Sequence, residues 1–374
     1  MNRSISAIYG SLVATVFTCG VLHAQEADAP VQQTPQQAAE EAAVTVEIRY
    51  VNELLQAGLS DYADMIIADG LKKYPNSGPR FKGAQTSVML QQGKLQEVIK
   101  QIDAMKDPNG ADAWTLRLTV ANYYYAAGKY ADSDKIYKEF FSKVKKPGPD
   151  LITLYREAAY QYVQLLLLSR RDKEAVEAFR FLLSVPMDDA MLRRAQTEAA
   201  TLMVKLAEEA PEKERKAALD EAEKIVDKLF WKQDIWFGSA VVLKATIAMQ
   251  RGKVEEAQSI VETYMSVLTD IHNSLIEQDP SGEKGYLRMS PMSSCRYLLG
   301  VMLQKEAEKM IDAGVPVTDK EQDEKIRTLL LGARGSDGKR NGNGAFNHFL
   351  NVFIKYPESQ FAVEAGNRSE AIRK

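Results

Sequence analysis

Gly58, Gly93 and Gly128 stand 35 residues apart, and each separates two stretches whose apolar residues recur at i, i+3 and i+4. A period of that length is the mark of a repeat architecture, in which each unit is too small to bury its own apolar faces and must stack on its neighbours. The local texts are AGLSDYADMIIADGLKKYP, QGKLQEVIKQIDAM and AGKYADSDKIYKEFF, and RGKVEEAQSIVETYM repeats the pattern from Arg251. Each reads as helix, tight turn at glycine, helix. An all-α chain is therefore expected.

The residues around these turns resemble the tetratricopeptide repeat. Ala63, Ile67, Gly70 and Pro75 in the first unit, and Ala345, Phe349, Val352 and Pro357 in the last, fall at the offsets of that family's pattern. Val98 and Ser133 stand where alanine is usual, and the units around RRDKEAVEAFRFLLSVP and ERKAALDEAEKIVDKLF keep Ala175 and Ala222 but lack the turn glycine. The resemblance covers residues 44–374 and implies a right-handed α-solenoid superhelix of about seven helical hairpins followed by the start of another helix. In such a stack, a small residue at Ala63, Ala175, Ala222, Ala257 or Ala345 lets the second helix approach the first. A large one, such as Tyr137, Phe179 or Phe349, fills the gap to the next unit.

The stretch YYYAAGKYADSDKIYKEFF, Tyr123 to Phe141, is the most aromatic in the chain. Counting Gly128 as the fifteenth place of its unit puts Tyr124 and Tyr137 at core places of the family and Tyr125 toward the concave face. The ninth place, which in the family lines that face, holds Asn52, Ser87, Asn122, Gln164 and Thr246. Such amides and hydroxyls both donate and accept, as the main chain of an extended peptide requires. Tyr125, Tyr160 and Met249, with Leu90 and Tyr297, add aromatic and apolar groove candidates. Ile48 and Leu118 occupy places where the family's carboxylate clamp needs cations, so that mode is not expected.

Lys plus Arg number 48 against 51 Asp plus Glu, a net charge of −3, which leaves no surplus positive field for nucleic acid. Residues 1–24 read as a signal peptide: Arg3, then an apolar run to Leu22, then small residues at Ala24 and Ala27, with cleavage expected after Ala24. An uncleaved leader would instead tether the chain to the inner membrane. Residues 25–43, rich in Gln, Ala, Glu and Pro, are expected to be a disordered linker. Loss of the leader leaves Cys295 alone, so no internal disulfide is expected.

No set of residues carries catalysis. The segment GARGSDGKRNGNG, Gly332 to Gly344, has a degenerate phosphate-loop spacing, but Arg340 stands where a hydroxyl must hold magnesium. It reads as a mobile insertion, 314–344, inside the seventh hairpin. His272 and His348 lie far apart in sequence and Cys295 has no Cys or His nearby, so neither a metal nor any other cofactor is expected. The text FNHFLNVFIKYPESQFAVEA is similar to the hairpins of envelope tetratricopeptide proteins, among them outer-membrane assembly lipoproteins and Tol–Pal-associated coordinators. That similarity implies an exported, non-catalytic scaffold of the periplasm or cell envelope with a protein or peptide partner. Two alternatives remain open: a glycan-binding or glycan-processing repeat protein using Trp231, Trp236 and Phe237, or the N-terminal part of a longer scaffold.

Overall fold

The computed structural model describes residues 35–148, 151–283, 285–313 and 319–374. Among them are seventeen α-helices, two short 3-10 turns and one isolated bridge between Arg334 and Arg340. The chain divides into two compact units, one within Gln25–Asp188 and one within Asp189–Lys374.

The first unit holds four hairpins: α1 (Pro35–Gln56) with α2 (Ser60–Lys73), α3 (Gly78–Gln91) with α4 (Leu95–Asp103), α5 (Ala111–Ala126) with α6 (Tyr130–Lys143), and α7 (Ile152–Leu168) with α8 (Asp172–Leu182). Each first helix packs against its own second helix, and those of the first three hairpins also pack against the first helix of the next, the serial stacking of an α-solenoid. The second unit continues in kind, with α9 (Asp189–Glu209) beside α10 (Glu212–Asp227) and α11 (Ile235–Gln250) beside α12 (Val254–Thr263). Then come α13 (Met265–Gln278), α14 (Pro291–Asp312), α15 (Lys320–Leu331), α16 (Ala345–Lys355) and α17 (Ala362–Arg373). The seventh hairpin is α14 with α16, and α17 packs on α16.

The repeat is visible in one column of side chains. Ala63, Val98 and Ser133, with Ala175, occupy the same place in the four hairpins of the first unit, and Ala222, Ala257 and Ala345 occupy it in the second; all are fully buried. The second helices bury the stripe their sequences foretell: α8 turns Ala175, Val176, Phe179 and Leu182 inward. Tyr137, Phe179 and Phe349 are buried one turn beyond the small residue, between stacked helices.

The turns show why glycine recurs. At Gly128 the N–H donates to the Tyr125 carbonyl at 3.0 Å and the next N–H, of Lys129, reaches back to Tyr124 at 2.8 Å. This closure needs a left-handed residue, and Gly58, Gly93, Gly128 and Gly252 supply it with φ between +71° and +77°. The fourth hairpin closes the same way without glycine. Arg170 takes φ +55°, and Arg170 and Arg171 donate to Leu167 and Leu166 at 3.0 and 2.9 Å. The fifth uses other chemistry: Pro211 ends the helix, and the Arg215 guanidinium donates to the exposed carbonyls of Ala207 at 3.0 Å and Ala210 at 3.1 Å.

Three expectations need revision or lie out of reach. Residues 35–43, expected to be part of a disordered linker, are the first turns of α1, which opens on Pro35 and runs through Ala, Glu and Gln. Those are good helix formers with a proline at the first helical place, and Val44 and Val51 further along the same helix are buried and anchor it. Within the expected mobile insertion 314–344, α15 is a helix capped by the Asp319 carboxylate, which accepts from the Glu321 and Gln322 N–H groups at 3.1 Å. The glycine-rich piece folds back on itself: Arg340 donates to the Gly332 carbonyl at 2.7 Å and pairs with Glu324 at 3.1 Å. A Cβ at Gly344 would sit 2.3 Å from the Gly332 nitrogen, so the two ends of the loop meet backbone to backbone. The expected signal peptide, 1–24, lies outside the described residues.

Candidate peptide-binding face

The ninth-place residues do not share one environment. In the first unit, Asn52 on α1 and Asn122 on α5 are exposed, while Ser87 on α3 is half-buried and its hydroxyl donates to its own helix at the Gly83 carbonyl, 3.3 Å away. Gln164 on α7 is only 8% exposed. In the second unit Thr246 on α11 is 4% exposed and returns its hydroxyl to the Val242 carbonyl at 2.8 Å. A threonine or serine bonded to the carbonyl one turn back has spent its donor locally. Asn52 and Asn122 are thus the members that present an amide to solvent. Asn122 also accepts from the Tyr137 hydroxyl at 2.6 Å, which ties the exposed amide to a buried ring and fixes its orientation.

The aromatic stretch is mostly interior. Tyr137 is buried, and Tyr124 packs half-buried against the cluster of Leu90, Val98 and Val120. Tyr125 is half-buried with its ring 5.9 Å from that of Tyr130; its hydroxyl is buried without a hydrogen-bond partner, and burial raises its pKa. Tyr160 is half-buried on α7. Met249 lies partly buried on α11 and touches two core clusters of the second unit, one with Tyr297 and Phe349 and one with Val241 and Leu298. Leu90 and Tyr297, expected to line a groove, are buried; Tyr297 stacks on Phe361 at 4.7 Å, so ring packing between hairpins claims it.

Polar constellations with no local sequence signal appear beside these positions. Asp134 on α6 accepts from Tyr162 at 3.2 Å and pairs with Arg171 at 2.9 Å and Lys138 at 2.8 Å. Burial pushes its carboxyl upward, but the two cations outweigh that and hold it below the ordinary carboxylate range. Burial, with Asp134 adding to it, pushes the Tyr162 phenol up to about 12. In the second unit Arg193 is 1% exposed, donates to the Lys232 carbonyl at 3.1 Å and pairs with Asp234 at 2.7 Å. Asp234 in turn caps α11, accepting from the N–H groups of Trp236 and Phe237. The i, i+4 spacing of Asp134 and Lys138 and the Asp234 cap of α11 are visible in one dimension; Asp134 lies 28 and 37 residues from Tyr162 and Arg171, and Arg193 lies 39 and 41 from Lys232 and Asp234.

The three aromatics of the glycan alternative separate as well. Trp231 is 67% exposed, but the Arg193 and Lys232 cations already lie 5.1 and 5.9 Å from its ring centre. Trp236 is half-buried and Phe237 is buried. Cys295 is fully buried, which pushes its thiol up to about 12. Among the described residues no group of three or more His, Cys, Asp or Glu side chains is arranged to hold a metal. No described helix is long and apolar enough to cross a membrane.

No family model matches the chain, and no curated protein sequence matches it. Solved structures similar to it include the following two. One is a crystal structure of a tetratricopeptide repeat protein from Parabacteroides merdae, 15% identical, covering 76% of this chain and 97% of that one with a TM-score of 0.33. The other is a structure of Naa15/Naa10 bound to HypK-THB, 14% identical over 88% of this chain with a TM-score of 0.35, where the match spans 63% of that chain.

Proposed function

We propose that this helical-repeat chain is a non-catalytic scaffold of the bacterial cell envelope that holds a protein or peptide partner on its first helices. The observation that carries this reading is the placement of Asn52 and Asn122. They take the same place in the first and third hairpins of the first unit, and both amides are exposed on first helices that pack against α3 between them. Amides presented two repeats apart match main-chain groups spaced along an extended segment, and half-buried aromatic surface comes from Tyr125, one turn after Asn122, and from Tyr160 on α7. Ser87 and Gln164 complete the proposed set in the first unit, and Thr246 and Met249 on α11 belong to it in the second, each unit taken by itself.

The leader-like composition of residues 1–24 supports export, with the body held in the periplasm or, if the leader is retained, at the inner membrane. Affinity capture from an envelope extract tests the reading. Asn52→Arg combined with Asn122→Asp adds charge at both exposed amides while keeping an acceptor for Tyr137. Loss of the captured proteins supports the face. An unchanged set overturns it and makes α15 and the Gly332–Gly344 loop the next surface to vary.

A further inference from the structure

The two histidines among the described residues, 76 positions apart, stand on α13 and α16, and both of those helices pack on α14. His272 on α13 meets the Ser290 hydroxyl through Nδ1 at 2.9 Å, and its ring lies edge-on to Tyr356 at 5.0 Å. A line of hydroxyls continues from there through the core. Ser293 donates to the Ser290 carbonyl at 3.0 Å, Ser359 donates to Ser293 at 3.1 Å, and the Phe361 N–H donates to Ser359 at 3.3 Å. The line joins α13, the start of α14 and the turn between α16 and α17. His348 on α16 is half-buried, and its Nδ1 is buried with no hydrogen-bond partner; Nε of Arg296 on α14 is also buried without one.

We propose that His272, Arg296 and His348 form an acid-sensitive latch, which docks α13 and α16 on α14 at neutral pH and lets them go when the imidazoles take up protons. The charged and titratable groups facing the pair are few. Tyr356 lies edge-on to His272 and is hydrogen-bonded to Arg296 of α14, the charge of Arg296 acts on both imidazoles, and that of Glu262 of α12 acts on His348. With both rings neutral, Arg296 supplies a positive charge that acts on both and Glu262 a negative one that acts on His348. Two further protons would add positive charge on half-buried rings that already feel Arg296, a loss that hydration can recover by opening the layer.

Burial, with Arg296 adding to it, lowers the pKa of His272, and the same two causes take His348 down to about 4. The direction is consistent with the latch. The folded imidazoles bind protons less readily than the unfolded ones, so stability is held above about pH 6.5 and lost as pH falls toward 4. What opens is apolar: α13 buries Leu268, Ile271 and Leu275, and the core it shares includes Met292, Cys295 and Leu299. Acid would therefore expose an apolar strip that neutral conditions keep covered.

Hydrogen exchange on the full chain at pH 7.5 and pH 5.0, corrected for the intrinsic rate, tests this. Opening of α13 and of residues 345–359 is expected to rise about tenfold for each unit of depressed pKa that is crossed, with α9 and α10 unchanged. In the His272→Gln, His348→Gln double variant the acid response should vanish while protection at pH 7.5 stays. Equal protection of α13 at both pH values, a uniform rise across the unit, or a response that survives in the double variant would overturn the latch. Should the double variant not fold, ring NMR titration of the wild-type chain decides. Both rings should titrate below the ordinary histidine value, and either one titrating at or above it removes the proposal.

Discussion

Arg170 is the described non-glycine residue with a left-handed backbone, and it sits where four other turns hold glycine. A side chain there costs about 1 kcal/mol in the folded state, and glycine loses part of that gain through its looser unfolded chain. Arg170→Gly is expected to raise the urea midpoint, by about 0.5 kcal/mol of stability, while Gly128→Ala lowers it by about 1 kcal/mol. A lower midpoint for Arg170→Gly would mean that its side chain contributes more than the backbone strain costs. Arg215 acts at the same scale in the opposite sense, because a side chain replaces the backbone turn. Arg215→Met keeps the aliphatic stem and removes the guanidinium donor from the Ala210 carbonyl and one of the two donors of the Ala207 carbonyl, which keeps the Ala210 N–H. About 1–2 kcal/mol of stability should go, read from the thermal or urea transition.

Hairpins succeed or fail on the contact between their two helices. Ser133 occupies the small-residue column of the third hairpin, fully buried, with a hydroxyl that has no hydrogen-bond partner. Ser133→Ala should stabilise the hairpin by about 1 kcal/mol, since it removes a desolvated polar group and leaves the close approach of α5 and α6 intact. A loss of stability in the same urea experiment would show that a bridging water satisfies the hydroxyl. Helix α15 stands apart from this scheme. It has no fully buried residue: Leu330 packs partly buried on the core of Tyr297 and Phe349, and the Asp319 cap and the pairing of Glu324 with Arg340 add polar contacts. An element with so little buried apolar contact opens more readily than one fixed by a buried stripe. It was therefore legible in the sequence only as an interruption of the period.

A stack of hairpins transmits damage to its neighbours and little further. Phe349 is fully buried against Tyr297 and lies where a Cβ on Gly300 would come within 2.8 Å of its ring. Phe349→Ala is expected to cost about 3–5 kcal/mol. Hydrogen exchange should rise across α14, α16 and α17 and stay unchanged in α1 to α3. A rise spread evenly over both units would mean that the chain unfolds as one cooperative body.

The period of 35, the glycine turns and the column of small residues are local facts, because hairpin partners follow one another along the chain and i, i+3, i+4 spacing fixes which face turns inward. For that reason the sequence alone determined that the molecule is built of stacked helical hairpins, which residues begin each second helix, and that Tyr137 and Phe349 are interior. Which polar residues reach solvent is a different matter. Thr246 and Asn52 hold the same place in the repeat, yet one is buried and the other exposed, because burial depends on the bulk and approach of helices many residues away. Tertiary structure likewise decided that Arg170 can stand in for glycine, that α13 and α15 are helices outside the repeat, and that the helices carrying His272 and His348 both pack on α14. Each of those outcomes is set by surroundings that distant segments assemble, and no spacing within one segment encodes them.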